Sequence, residues 1–177
     1  MQKQKTIIAL SIILLMVFCP KAEAFPDAEK ENTVINNLNE NKEQPMNEVC
    51  NFLKQCGTYF IATTEGDQPR VRPFGTITVF ENKLYIQTGK RKNVAKQMVA
   101  NPKIEICAYD ESKGQWLRVE AVVVADERIE AKQYMLDQYP SLKSMYSAED
   151  DNTLVLYLQN VTATFYSFSG EPKTVRF

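Results

Sequence analysis

Apolar and polar residues alternate in short runs along most of the chain beyond residue 46. Tyr59-Phe60-Ile61-Ala62-Thr63-Thr64 is rich in β-branched and aromatic residues and stops at the turn cluster Glu65-Gly66-Asp67-Gln68-Pro69, which predicts a strand. Similar runs predict strands over residues 70–80 and 84–88, with a tight loop at Glu81-Asn82-Lys83 between them. Further strands are expected over 103–109, 116–125, 153–158 and 161–168. Helical spacing appears in three places. Val49, Phe52, Leu53 and Cys56 form a stripe over 47–56 that ends at Gly57. A helix over 93–100 stops before Pro102. Ile129, Met135, Leu136 and Tyr139 mark one over 127–139, halted by Pro140. Short antiparallel strands with helices inserted between hairpins favour a mostly β fold. A closed or partly closed β-barrel with short helices fits this order better than a parallel sheet.

The first 45 residues read differently. Lys3 and Lys5 precede an apolar run from Ile7 to Cys19, and Ala22-Glu23-Ala24 places small residues where a signal peptidase cuts. Residues 1–24 are therefore expected to be a secretory signal cleaved after Ala24, with the mature protein periplasmic or extracellular. The run falls short of the roughly 20 residues that span a bilayer, so no stable membrane span is expected after cleavage. Lipoprotein processing at Cys19 is disfavoured by bulky Phe18, where a small residue is wanted. Residues 25–45 are rich in Asn, Glu and Lys and read as a flexible linker, leaving 46–177 as the folded domain.

Composition narrows the chemistry. A net charge of -1 argues against a general nucleic-acid binder. The absence of His rules out a Ser-His-Asp triad, a Cys-His pair and His-ligated haem. Removing the signal leaves Cys50, Cys56 and Cys107, an odd number that makes a poor disulfide framework. Cys50 and Cys56 lie roughly 9 Å apart along one helix, too far to bridge within it. All three read as buried thiols, and no Cys-x-x-Cys pair suggests a metal.

In a nearly neutral chain, two basic segments stand out: Arg70-Val71-Arg72-Pro73-Phe74 and Gln87-Thr88-Gly89-Lys90-Arg91-Lys92. They read as adjacent ends of one hairpin. Alternation puts Arg70, Arg72, Phe74, Thr76 and Thr78 on one face, with Val71, Ile77 and Val79 on the face toward the core. Pro73 cannot donate to a ladder and marks an edge or bulge. Pairing Phe80 with Leu84 would set Thr76 opposite Thr88 on the arginine side. A loop shorter by one residue would move Thr88 to the core face. The second segment leads into a helix start whose unpaired N–H groups attract anions. The arrangement suits a phosphate, although the P-loop spacing is absent. From spacing alone, solvated charges at a hairpin end are the simpler reading.

Three segments carry a family resemblance: Gln68 to Phe74, Leu84 to Val94, and Asn101-Pro102-Lys103-Ile104-Glu105. In this order they resemble successive motifs of the pyridoxamine 5'-phosphate oxidase-like family of flavin-binding proteins, from about Met46 to Phe168. The resemblance implies a six-stranded split β-barrel and a homodimer with FMN at the subunit interface. Arg70, Val71, Arg72 and Pro73 would line the ring and ribityl chain, with Arg72 reaching the phosphate. Ile86, Gln87 and Thr88 would lie against the cofactor, Arg91 and Lys92 would bind its phosphate, and Trp116 would contact the ring from the second subunit. Packing in the core or an interface also accounts for Trp116. The oxidase proper closes on an Arg- and His-bearing segment, whereas this chain ends Gly170-Glu171-Pro172-Lys173-Thr174-Val175-Arg176-Phe177. Pyridoxamine phosphate oxidation is therefore not expected. The implied activity is FMN-dependent oxidoreduction of an unknown small molecule by the flavin, with no catalytic side chain assigned. The alternative is a non-catalytic flavin- or anion-binding protein.

Overall fold

Strand β5 (Lys103–Asp110) shows how the chain sorts its side chains: Ile104, Ile106 and Ala108 are buried, while Lys103, Cys107 and Tyr109 are exposed. In the computed structural model residues 43–177 are described; the expected signal and most of the expected linker lie outside the described residues. A helix α1 (43–56) leads into β1 (Tyr59–Glu65), β2 (Gln68–Phe74), β3 (Thr78–Phe80), β4 (Lys83–Gly89) and α2 (Asn93–Ala100). After β5 come β6 (Gln115–Asp126), α3 (Ile129–Gln138), a 3-10 turn (Pro140–Ser144), β7 (Thr153–Ser167) and β8 (Lys173–Arg176).

All strand pairs are antiparallel, in the order β2-β1-β5-β6-β7-β4-β3, with β8 added on β7. The two ends of this order, β2 and β3, are consecutive in the chain and joined only by Gly75-Thr76-Ile77. The sheet therefore closes on itself through a covalent corner and not through a hydrogen-bonded ladder. With β2 and β3 taken as one bent strand, six strands make the barrel, which is the split-barrel form expected from the sequence.

The barrel is filled by Tyr59, Ile61, Leu84, Ile86, Ile106, Leu117, Val119 and Ala163, with Val49 and Leu53 of α1 and Met98 of α2 packed onto them. A smaller cluster of Tyr85, Ala131, Met135 and Val155 seats α3 against the other face of β4 and β7. Tyr85 Oη donates to Asp126 Oδ2 at 2.9 Å, and Arg128 clamps Asp126 and Glu81 together at 2.8 Å each. This network ties the start of α3 to the β3–β4 turn.

Several expectations need correction. The predicted strand over 70–80 breaks at the corner, where Tyr59 Oη donates to Thr76 O at 2.6 Å. At the same corner Tyr139 Oη accepts from Ile77 N at 2.9 Å and donates to Ile77 O at 2.7 Å. Side chains thus satisfy backbone groups that the sheet has released. The loop after β3 has two residues, Glu81 and Asn82, with φ of 47° and 54°, the backbone of a tight hairpin turn. Phe80 consequently pairs with Lys83, the shorter of the two alternatives.

The two predicted closing strands merge into β7, which bends at Asn160 (φ 54°) where the β6 register shifts between Glu120 and Val122. Helix α1 already covers 43–46, so the expected linker ends earlier; Met46 is buried in the core. Ile129 is 54% exposed and does not belong to the buried stripe of α3. Of the three thiols, all free, only Cys50 is buried; Cys56 is half-buried and Cys107 exposed.

Two outcomes follow. Tyr139→Phe strands the Ile77 N–H and C=O, and should cost about 1–3 kcal/mol in denaturant unfolding, with faster hydrogen exchange at Ile77. The Arg128 guanidinium holds the Asp126 carboxyl at about 2, below the roughly 3.9 of an unfolded chain. Its stabilisation is therefore present above about pH 4 and lost as pH falls toward 2. Asp126→Asn should lower stability at neutral pH and flatten the acid limb between those values, as read by circular dichroism melts over a pH series.

Candidate functional site

The corner does more than close the barrel. It swings the end of β2 against the end of β4, although the two strands never pair. Thr76 Oγ1 accepts from Gln87 N at 3.2 Å and fixes the corner to β4. Between them opens a groove of about 330 Å³. One wall carries Arg72, Thr76, Gln87, Thr88 and Lys92; the other carries Leu142, Met145 and Tyr146 from the 3-10 turn and the loop after it, with Val94 of α2 alongside.

Arg72 pairs with Ile61, so its side chain shares the inward face of the β1–β2 ladder. Its guanidinium is held by neutral oxygens. Nη1 donates to Thr63 Oγ1 at 2.7 Å and to the carbonyls of Ile61 and Arg70, each at 3.1 Å; Nη2 donates to Gln97 Oε1 at 2.5 Å. Gln97 Oε1 also accepts from Thr63 Oγ1 at 2.7 Å. No carboxylate among the described residues pairs with Arg72. Partial burial, and then the neighbouring Arg70 charge, draws its pKa below the ordinary arginine value.

The second cation comes from the Gly89–Lys92 turn. Lys92 N donates to Gly89 O at 3.0 Å, and Asn152, just before β7, secures the turn by accepting from Lys90 N at 2.7 Å and Arg91 N at 3.2 Å. A Cβ on Gly89 would meet Asn152 and Tyr146 Oη at 3.2 Å, so the wall carrying Tyr146 closes tightly on β4 here. Lys92 is the N-cap of α2, with no side-chain cap and no acidic residue in the first turn. Its ammonium lies 6.0 Å from the Tyr146 ring centre and has no carboxylate partner among the described residues. The groove thus combines two uncompensated cations, a helix start, hydroxyl and amide groups, and an apolar wall. That set suits an anion attached to a flat apolar body.

The ten sequence-derived residues divide evenly. Arg72, Pro73, Gln87, Thr88 and Lys92 line the groove. The others do not. Arg70 pairs with Glu65 at 2.7 Å, outside it. Val71 faces outward and is 64% exposed, which corrects its placement toward the core. The Arg70, Arg72 and Phe74 face is the inward one, because Tyr59, Ile61 and Thr63 oppose it. Ile86 is wholly buried in the barrel. Arg91 points to solvent, and Trp116 lies away on β6, stacked on Tyr166 at 5.2 Å. The sequence reading missed Thr63, Gln97, Leu142, Met145 and Tyr146. A glutamine at a buried position of α2 between Val94 and Met98 was the available signal for Gln97.

Comparison with known proteins gives this geometry a family. Residues 46–167 match the pyridoxamine 5'-phosphate oxidase family. The chain is similar to the crystal structure of a NimC/NimA family protein from Clostridium acetobutylicum, at 45% identity and TM-score 0.75, over 78% of this chain and 96% of that one. Two remoter structures share the fold alone. One is a pyridoxamine 5'-phosphate oxidase-related, FMN-binding protein from Nostoc punctiforme (15% identity, TM-score 0.50, 76% and 94% covered). The other is HutZ, the haem storage protein of Vibrio cholerae (17%, 0.51, 63% and 87%). No match was found among curated proteins. The family match over most of the described chain, on a closed split barrel, places the protein in the pyridoxamine 5'-phosphate oxidase-like family.

Proposed function

We propose that the groove binds FMN and that the protein is an exported, homodimeric flavoprotein acting as an oxidoreductase on a small molecule. The observation that carries this reading is the convergence of Arg72 and Lys92, neither paired with a carboxylate among the described residues, on one groove with an apolar wall. Two basic residues of the same segments are neutralised instead: Arg70 pairs with Glu65, and Lys90 with Glu127 at 2.7 Å. Arg72, Lys92 and the α2 start would hold the phosphate. Thr76, Gln87 and Thr88 would take the polar chain, and Leu142, Met145 and Tyr146 would lie along the ring. When bound, FMN supplies the redox chemistry itself, tuned by the charges around it. The side chains lining the groove include no carboxylate or thiol, so their part is to bind, orient and exclude water. The same lining suits a protein that sequesters flavin without turnover. Reduction of bound flavin by NADH or NADPH, followed by reoxidation, separates the two.

The dimer is supported by the outer face of the sheet. Register places Val71, Phe60, Cys107, Tyr109, Trp116 and Tyr166 on this one face. Phe168, 80% exposed, packs beside Trp116. A second copy covering this band would shelter its aromatics. Export rests on the N-terminal sequence, and the alternative of an intracellular flavoprotein is tested by where the mature chain begins.

Fluorescence titration with FMN separates the basic residues. Arg72→Ala and Lys92→Ala should each weaken binding by about tenfold or more, whereas Arg70→Ala and Arg91→Ala should leave it near the wild-type value. Equal affinities in all four variants would return the basic segments to solvated surface charge.

A further inference from the structure

The choice of partners around Arg72 has a consequence for ligand binding. A half-buried guanidinium is ordinarily matched by a carboxylate, which holds it in place but cancels its charge. Here the acceptors nearest its terminal nitrogens are an amide oxygen, a hydroxyl and two backbone carbonyls. Gln97 is central to the set. Its side chain is buried, it comes from α2 while the others come from β1 and β2, and Oε1 accepts from both Arg72 and Thr63. Arginine has donors only, so the amide oxygen, and not the NH2 group, must face it.

Glutamate at this position would keep the length and the acceptor while adding a charge 2.5 Å from Nη2. That would form an internal ion pair and remove the field that an anion in the groove would feel. We propose that Gln97 is a positioning residue that holds Arg72, a residue of the groove lining, by a neutral acceptor, and so leaves its charge for the phosphate of the ligand. The inference rests on the flavin-phosphate reading of the groove. Gln97 touches no ligand in this role; it acts through Arg72, with Thr63 as the second neutral support.

The test uses the full chain, titrated with FMN, riboflavin and inorganic phosphate. Wild type should prefer FMN to riboflavin. Gln97→Glu should lose about tenfold or more in FMN affinity, keep its riboflavin affinity, bind phosphate more weakly, and unfold at an equal or higher temperature. A residue serving only to pack α2 would shift the unfolding temperature and both flavin affinities together. Thr63→Val, which removes the second neutral acceptor without adding charge, should cost FMN affinity only a fewfold and keep the preference over riboflavin. Gln97→Glu that unfolds like wild type and keeps the wild-type preference for FMN overturns the inference alone. So does a Thr63→Val variant that loses FMN affinity as fully as Gln97→Glu, because charge would then not be the cause. Wild-type protein that binds neither FMN nor phosphate overturns the flavin reading and this inference together.

Discussion

At Gly75-Thr76-Ile77 the backbone leaves the sheet, and its polar groups need partners that no neighbouring strand supplies. Two tyrosines answer this: Tyr59 reaches the Thr76 carbonyl and Tyr139 bridges both polar groups of Ile77, while Thr76 Oγ1 in turn accepts from the Gln87 amide of β4. The rest of the molecule depends on this corner. It joins the two edges of an otherwise open sheet, so the barrel closes without a seam of hydrogen bonds between β2 and β3. The gap left at the seam is the groove. Because Tyr139 follows α3, the same contact connects the corner to the helix and turn that supply Leu142, Met145 and Tyr146.

Charge within this frame is distributed unevenly. Arg70, Lys90, Arg118 and Arg128 each lie against a carboxylate, and surface pairs of this kind add little to stability. Arg72 and Lys92 are held differently. One is fixed by neutral oxygens from β1, β2 and α2, and the other by a turn anchored to Asn152. Both leave a full positive charge at the end of the barrel where the inward faces of β2 and β4 open. Folding tolerates the pair because neither cation is fully buried. An anionic ligand would gain from both at once.

How far the sequence foretold this can be followed residue by residue. Helix α2 begins and ends where Lys92 and Pro102 suggested, and the strand alternation of β5 and β6 was plain because each has one buried face. The basic segments do meet, as expected, but by barrel closure and not by hairpin pairing. Periodicity cannot see that difference, since it records which residues share a face and not which strand lies opposite. Val71 was assigned to the core because it is apolar; the Arg72 face turns inward at the rim of the barrel, where an arginine can meet polar partners. The apolar wall and the Gln97 support were hidden for another reason. Both depend on contacts between segments far apart in the chain, 34 residues for Thr63 with Gln97 and 25 for Arg72 with Gln97.

The central claim is that the corner groove is built for a phosphate-bearing flavin. Calorimetric titration of the purified chain with FMN and with riboflavin, at low and at high salt, tests it most directly. These ligands share the ring and differ in the phosphate. The account predicts that FMN binds at least about tenfold more tightly than riboflavin at low salt, and that salt erodes this advantage by screening the two cations. Equal affinity for both ligands, unaffected by salt, would contradict it.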